Sequence, residues 1–239
     1  SDADAYIESL EQLIAKKRLI KQGVMQELLT GNLRLPGFSG EWDEKRLGDI
    51  FEITSSKRVF QSEWKTEGIP FYRARELAVL GQNNYVNNEL FISKSLYKTF
   101  KSLHSVPKVG DMLVTGVGTL GKVYVVPDEK AFYFKDGNII WFKIGESLNA
   151  EYLKQLYNTR IIKKQIKDDS SGTTVGTYTI SGAQKTKIPF PSIHEQNAIA
   201  DILRDHDLEI SAIESKLEKA RQIKQGMMQE LLTGRIRLV

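Results

Sequence analysis

The chain has 239 residues, 41% hydrophobic and 27% charged, a composition that suits one large or two small folded units and excludes wholesale disorder or a staple-dependent miniprotein. With no cysteine and only three scattered histidines, at positions 104, 194 and 206, it offers no disulfide, thiol nucleophile or HExxH-type metal motif; no apolar run approaches the roughly 18 residues of a membrane helix, and the reading is a cytoplasmic protein. The net charge of +4 lies wholly in the middle, where residues 36–190 carry 22 Lys and Arg against 17 Asp and Glu, as a domain holding a polyanion would; a mildly basic solvated surface has the same composition.

The first element is a helix. Ile7, Leu10, Ile14, Lys17, Lys21, Val24 and Leu28 step by three and four residues, and Gly31 supplies the residue that tolerates a left-handed helix end. The abrupt start at Ser1, without a methionine, is the expectation of a truncated chain whose parent carried another domain upstream; a native half-length chain is the alternative.

From residue 36 the pattern changes to strand-length runs separated by Gly, Pro and Asn: Leu47 to Thr54, Ile69 to Arg73, Met112 to Thr115, Lys122 to Val126, Ala131 to Phe134 and Ile139 to Ile144. One helix, Ala150 to Lys167 with Asn149 as its N-cap, interrupts them. These elements predict an α+β domain built on a twisted, mixed and mostly antiparallel sheet, with Trp42, Trp64 and Trp141 read as core rather than as base-stacking groups. Gly116-Val-Gly-Thr-Leu-Gly-Lys122 matches G-x-G-x-x-G and most of a Walker A loop. The match fails on context, because Val123 follows where Ser or Thr would hold magnesium and Val-Tyr-Val-Val reads as a strand, not a helix N-terminus.

The last element is a second helix. It begins after Pro191 with Ser192-Ile-His-Glu195, a capping-box pattern, and would run to Leu232. Its end repeats the first helix: residues 20–35 and 223–238 share thirteen of sixteen positions at an offset of 203. Under that offset the first seam becomes Ile210, Ile213, Leu217, Ala220, Lys224, Met227 and Leu231, so the two helices present the same stripe; with one domain joining the end of the first to the start of the second, they are expected to pair as an antiparallel coiled coil. Ile14, Leu28, Ile213, Leu217, Met227 and Leu231 are the seam and partner-docking candidates. A second stripe through Leu13, Ile20, Ile202, Ile223 and Met228 widens the apolar face, either for a partner or for packing on the middle domain.

The order of helix, domain and repeated helix resembles half of a specificity subunit of type I restriction-modification systems. The resemblance rests on Trp42 with Lys45-Arg-Leu-Gly-Asp-Ile50, Gly68-Ile-Pro70 with Tyr72-Arg73, Gly110-Asp-Met-Leu113 leading to Gly118-Thr-Leu-Gly121, Gly172-Thr-Thr174, Ile188-Pro-Phe-Pro191 with Glu195-Gln196, and the Lys224 to Gly234 helix end. It covers nearly the whole chain and implies three parts: a helix at 1–35, a DNA target recognition domain at 36–190 and a long helix at 191–239. It also implies a subunit without catalysis of its own that reads one half of a bipartite duplex DNA target. Its helices would dock methyltransferase subunits, which carry S-adenosylmethionine, a restriction subunit would join the larger complex, and two half-subunits could pair as a homodimer. A helical scaffold whose middle domain binds protein is the alternative. On this reading no metal and no cofactor is expected on the chain itself.

Direct readout needs donors and acceptors that reach base edges, while Lys and Arg on phosphates supply salt-dependent affinity. The candidates in turns are Ser55, Lys57 and Arg58 after the first strand, Arg73 and Arg75, Thr119 and Lys122 at the glycine loop, and Thr173, Thr174 and Tyr178 in a polar loop. Each could equally be an ordinary surface residue. If their strand continues, Arg73 and Arg75 share one face. Lys163, Lys164 and Lys167 read as a solvated helix face, with phosphate contact as the alternative.

Overall fold

The structure, a computed structural model, describes residues 2–83, 85–87, 90–171 and 176–232. It divides into two units, one formed by residues 1–33 and 198–239 and one by residues 34–197.

The first unit is a helical pair. Helix α1 spans Asp2–Leu28, and α7, Ile193–Leu232, contributes all of its length beyond Asn197. At 1.5 Å per residue the 40 residues of α7 run about 60 Å, and so long a stripe needs a partner. The partner is α1. Leu10, Ile14, Ile213 and Leu217 form one buried cluster, with Ile7 and Ala220 packed at its edges.

The register is antiparallel and nearly self-symmetric. Arg18 pairs with Glu214 and Arg221 with Glu11, each at 2.6 Å, and the second pair is the first with 203 added to one number and subtracted from the other. In the same way Lys21 pairs with Asp207 at 2.5 Å and Lys224 with Asp4. Residues 4–21 therefore pack on residues 207–224 about a local two-fold axis, and the sixteen-residue repeat enters this pairing only at Lys21 and Lys224. Such exposed pairs are worth about 0 to 1 kcal/mol each, so they fix register more than stability, which comes from the apolar seam.

One seam expectation changes. Met227 is 58% exposed because it lies three residues past Lys224, where the last described cross-helix pair stands. Leu28 is buried, outside the four-residue cluster, and the side chain of Leu231 lies outside the described residues, as does Gly234. The chain leaves α1 through Gly31 at φ 75°, the left-handed conformation that favours glycine.

The second unit holds three small sheets. A four-stranded antiparallel sheet has the order β2-β8-β5-β6, from Glu52–Thr54, Ile139–Lys143, Met112–Thr115 and Val123–Val125. A mixed sheet, β4-β3-β7, pairs Ile69–Tyr72 antiparallel with Phe91–Ile92 and parallel with Tyr133–Phe134. Asp43–Arg46 (β1) and Lys187–Phe190 (β9) form a two-stranded ribbon. The architecture is thus α+β and mostly antiparallel, with long terminal helices, as expected.

The details depart from the sequence reading where tertiary packing overrides local pattern. The segment from Leu47 forms a 3-10 turn, Leu47–Asp49, before β2 begins. The single helix expected over residues 150–167 is two, α4 (Ala150–Tyr157) and α5 (Arg160–Ser170), because Thr159 breaks the run and its hydroxyl caps the second helix by accepting from the Ile162 amide. Three further helices, α2 (Ala74–Asn83), α3 (Lys94–Leu103) and α6 (Ile180–Lys185), stand where the sequence reading placed none. Gly81 in α2 reads as a breaker, yet it lets the helix lie on the Val123 carbonyl, where any Cβ would collide.

Two clusters among the described residues form part of the core. Leu77, Leu113, Phe134, Ile139 and Trp141 fill the space between α2 and the four-stranded sheet, and Val59, Phe71, Ile92 and Tyr133 fill that beside β3. Trp141 is 3% exposed and donates its indole N–H to Asp111 at 2.8 Å; Trp64 and Trp42 are partly buried.

Where α7 begins, Ser192 accepts from the Glu195 amide, one half of the expected capping box. The other half is replaced. The Glu195 carboxylate, 2% exposed, takes two bonds from Arg34, at 2.7 and 2.8 Å, and one from Trp42 at 3.0 Å. Arg34 also lies over the Trp42 ring at 5.3 Å. A buried carboxylate needs such complete pairing to offset its desolvation. Among the described residues, no helix is long and apolar enough to cross a membrane.

Candidate nucleic-acid interface

The register of the four-stranded sheet decides what lies together at its end. β2 leaves at Thr54, β8 starts at Ile139 opposite Thr115, and β5 turns back into β6 through residues 116–122. The turns after β2, before β8 and between β5 and β6 therefore share one sheet end. Hydrogen bonds knit them: Ser55 Oγ donates to the Ile139 carbonyl at 3.0 Å and accepts from the Gly137 amide at 3.3 Å, and the Gly116 amide donates to the Asn138 carbonyl at 2.9 Å. Because β3 and β7 are parallel, their ends also meet; the Lys135 amide donates to the Tyr72 carbonyl at 2.8 Å, and Ser56 Oγ to the Phe134 carbonyl at 2.7 Å.

This end gathers most of the predicted candidates. Lys57 is exposed, with its amide donating to the Tyr133 hydroxyl at 2.8 Å. Arg58, its side chain 67% exposed, donates to Asp136 at 3.0 Å; Lys135 reaches the same carboxylate at 2.9 Å, and together they hold it below the usual carboxylate range against the effect of burial. Lys135 and Asp136 escaped the sequence reading, although a Lys-Asp-Gly turn between two apolar strands is a signal that could have found them.

Arg73 and Arg75 do not share a strand face. β3 ends at Tyr72 and α2 starts at Ala74, so Arg73 stands at the helix N-terminus, where its amide and guanidinium bond Glu76 at 3.1, 3.0 and 2.6 Å. Arg75 donates to the same carboxylate at 2.9 and 3.1 Å. Burial alone would raise Glu76, which is 2% exposed, but the two guanidinium partners outweigh it and hold its pKa at about 2. The carboxylate thus fixes two arginines whose side chains remain 34% and 71% exposed.

Thr119 is exposed at the tip of the β5–β6 turn, and its carbonyl accepts from Thr115 Oγ1. Lys122 is half-buried beside α5. The turn joins two antiparallel strands with Gly118 and Gly121 at φ 69° and 71°, so no helix N-terminus follows it as a phosphate loop requires.

Tyr178 is a correction. It is 1% exposed, and its hydroxyl lies between Tyr157 at 3.0 Å and Thr186 at 2.8 Å, a buried chain that ends on the Gly182 carbonyl. Burial pushes its pKa up to about 12. An amphipathic ring in a polar loop reads as a surface donor until the fold closes over it. Ser55, too, uses its hydroxyl within the turn. Thr173 and Thr174 lie outside the described residues, although Tyr178 brings the following segment to this end by donating its amide to the Gly116 carbonyl at 3.0 Å.

Beside Lys57, a polar cleft of about 380 Å³ is lined by His104, Ser105, Tyr133 and Lys143. Ser105 holds φ at 68°, unlike any other described non-glycine residue, and its Oγ has no hydrogen-bond partner. Strain of this kind clusters at functional surfaces. The described residues contain no group of three or more His, Asp or Glu able to hold a metal ion. The arrangement supplies fixed cations and hydroxyls at one sheet end.

Known proteins resemble the chain along most of its length. A model of the type I restriction modification DNA specificity domain matches residues 39–224. A type I restriction enzyme specificity-subunit sequence from Haemophilus influenzae, S.HindORF215P, is 31% identical over 159 residues, which cover 66% of this chain and 38% of that one. The MjaVIII specificity subunit of Methanocaldococcus jannaschii is 23% identical over 250 residues, spanning all of this chain and 58% of its own length. The S subunit of a type I system from M. genitalium shares the fold at TM-score 0.62 and 18% identity, over 97% of this chain and 58% of that one. The chain thus spans well under two thirds of each of these relatives.

Proposed function

The chain belongs to the type I restriction-modification DNA specificity family, and from that premise we propose that it recognises a DNA sequence on behalf of catalytic partners. The observation that carries this reading is the sheet end, where Lys57, Arg58, Arg73, Lys122 and Lys135 on turns and Arg75 in the first turn of α2 are brought together by long-range strand pairing. Phosphate contacts from such cations position the duplex, and side chains held in fixed geometry read base edges. Arg75 is the leading reader, because its guanidinium is braced by Glu76 yet 71% of the side chain is exposed.

One recognition domain reads one half of a bipartite target. The helical pair provides the docking surface: Leu13, Ile20, Ile223 and Met228 are 38% to 54% exposed, and an apolar stripe of this size needs cover. Methyltransferase subunits carrying S-adenosylmethionine would supply the cover and the chemistry, with a restriction subunit joining the larger complex. A second copy of the chain could use the same helices. The chain itself contributes no catalytic group.

Mapping methylated bases in a genome that expresses the complete system tests the reading. Exchanging residues 36–190 for another recognition domain should change one half of the methylated site and leave the other half intact. Arg75→Ala should relax one base position at a cost of about 1 to 3 kcal/mol. An unaltered methylation pattern after the exchange would overturn the proposal.

A further inference from the structure

The glycine turn that fails as a nucleotide loop has another use. Gly121 faces α5 so closely that a Cβ there would fall 2.7 Å from Ile166 Cδ1, so the turn lies directly on the helix. Thr115 Oγ1 closes the turn, donating to the Thr119 carbonyl and accepting from the Lys122 amide at 3.0 Å. Lys122 is thereby held against α5. On the helix, Ile162, Ile166 and Ser170 are buried and fix its rotation, which turns Lys163 and Lys167, one turn apart, toward the same hollow of about 260 Å³. Lys164 does not line it.

Three ammonium groups around one hollow repel each other, and among the described residues none of the three is in an ion pair. Of the two acids that follow Lys167, Asp169 is turned to Thr179, and Asp168 makes no ion pair among the described residues and does not line the hollow. A cluster of like charges without counter-charge is tolerated in solvent, but it binds an anion strongly once one is present. Lysine is a point donor without the planar fork that reads guanine or adenine, so the anion is a phosphate group and the contact carries no sequence information.

We propose that Lys122, Lys163 and Lys167 form a phosphodiester site that clamps the DNA backbone outside the bases being read, an inference that rests on the DNA-recognition function above. The hollow then sets the register of the duplex on the recognition domain while the neighbouring turns face the bases.

The test is the salt dependence of duplex binding by the assembled complex with its methyltransferase subunits, followed by fluorescence anisotropy from about 50 to 200 mM salt. Replacing all three lysines with alanine should lower the slope of log K against log salt by about 0.9 for each phosphate no longer neutralised, and weaken target and non-target DNA by the same factor. The three Lys→Arg replacements should keep the wild-type slope, and Lys164→Ala should leave it unchanged. Because all the replaced side chains lie at the surface or its margin, thermal melting should be unaltered; should the triple variant fail to fold, Lys163→Ala alone carries the same expectation for a single phosphate. A wild-type slope in the triple variant, an equal reduction in Lys164→Ala, or a weakening confined to the target sequence would overturn the site while leaving DNA recognition standing. Lysine-dependent binding of ATP in the absence of DNA would mark a nucleotide pocket and also overturn it. Wild-type complex that binds no duplex would overturn the recognition reading and the site together.

Discussion

Replacing Glu76 with glutamine keeps the shape of the side chain but removes the charge that two arginines grip. The carboxylate's pKa falls from 4.5 to about 2 on folding, a difference of about 2.5, which corresponds to roughly 3 kcal/mol of folding stability at neutral pH. A depressed carboxylate pKa means that this contribution is complete above about pH 6 and fades as the pH drops through 4.5 toward 2. Wild type should therefore exceed Glu76→Gln by roughly 3 kcal/mol at pH 7, and the gap should narrow by about 1 kcal/mol at pH 4. Urea unfolding at a series of pH values measures both numbers, and the variant's curve should be the flatter of the two. Loss of the brace should also loosen Arg73 and Arg75, so that sequence choice weakens more than total affinity. A gap that stays constant from pH 7 to pH 4, or a variant as stable as wild type, would refute the assignment of Glu76 as the anionic anchor of both guanidinium groups.

Other expectations follow from burial. Leu217→Ala truncates one of the two residues that α7 places in the four-residue seam and should cost about 2 to 4 kcal/mol, whereas Met227→Ala, at a position 58% exposed, should stay within about 0.5 kcal/mol; thermal melts of both variants check the boundary of the helical pair. Tyr178→Phe breaks the buried hydroxyl chain to Tyr157 and Thr186, so it should destabilise by about 1 to 3 kcal/mol in urea without altering the methylation pattern. A changed target in Tyr178→Phe would return that residue to the readout surface.

The terminal helices were legible because everything that defines them is local. A stripe with period 3.6 names the buried face, a repeat at offset 203 shows that both helices carry the same face, and the single domain joining the end of one to the start of the other makes the pair antiparallel, with Lys21 and Lys224 in equivalent places. The extent of the pair was not local. Met227 continues the pattern in sequence but meets no partner, because contact ends where the opposite helix does.

In the middle domain the strand-forming runs were visible, and so was the antiparallel class, since alternating apolar residues and glycine-rich turns mark them. The assembly of the candidate surface was not. Ser55 meets Ile139 across 84 residues of chain, Ser56 meets Phe134 across 78, and nothing in either segment encodes the other's position. Composition alone therefore placed the excess positive charge in this domain, while strand register decided which cations share one end. The same long-range closure turned Tyr178 inward and seated the glycine turn on α5, whereas Arg73 and Arg75 meet Glu76 through contacts local to the start of α2. Helical periodicity is a property of a single segment, and charge is a property of a residue, so the sequence states both; a surface built from several distant turns exists only once the chain has paid the entropy of bringing them together.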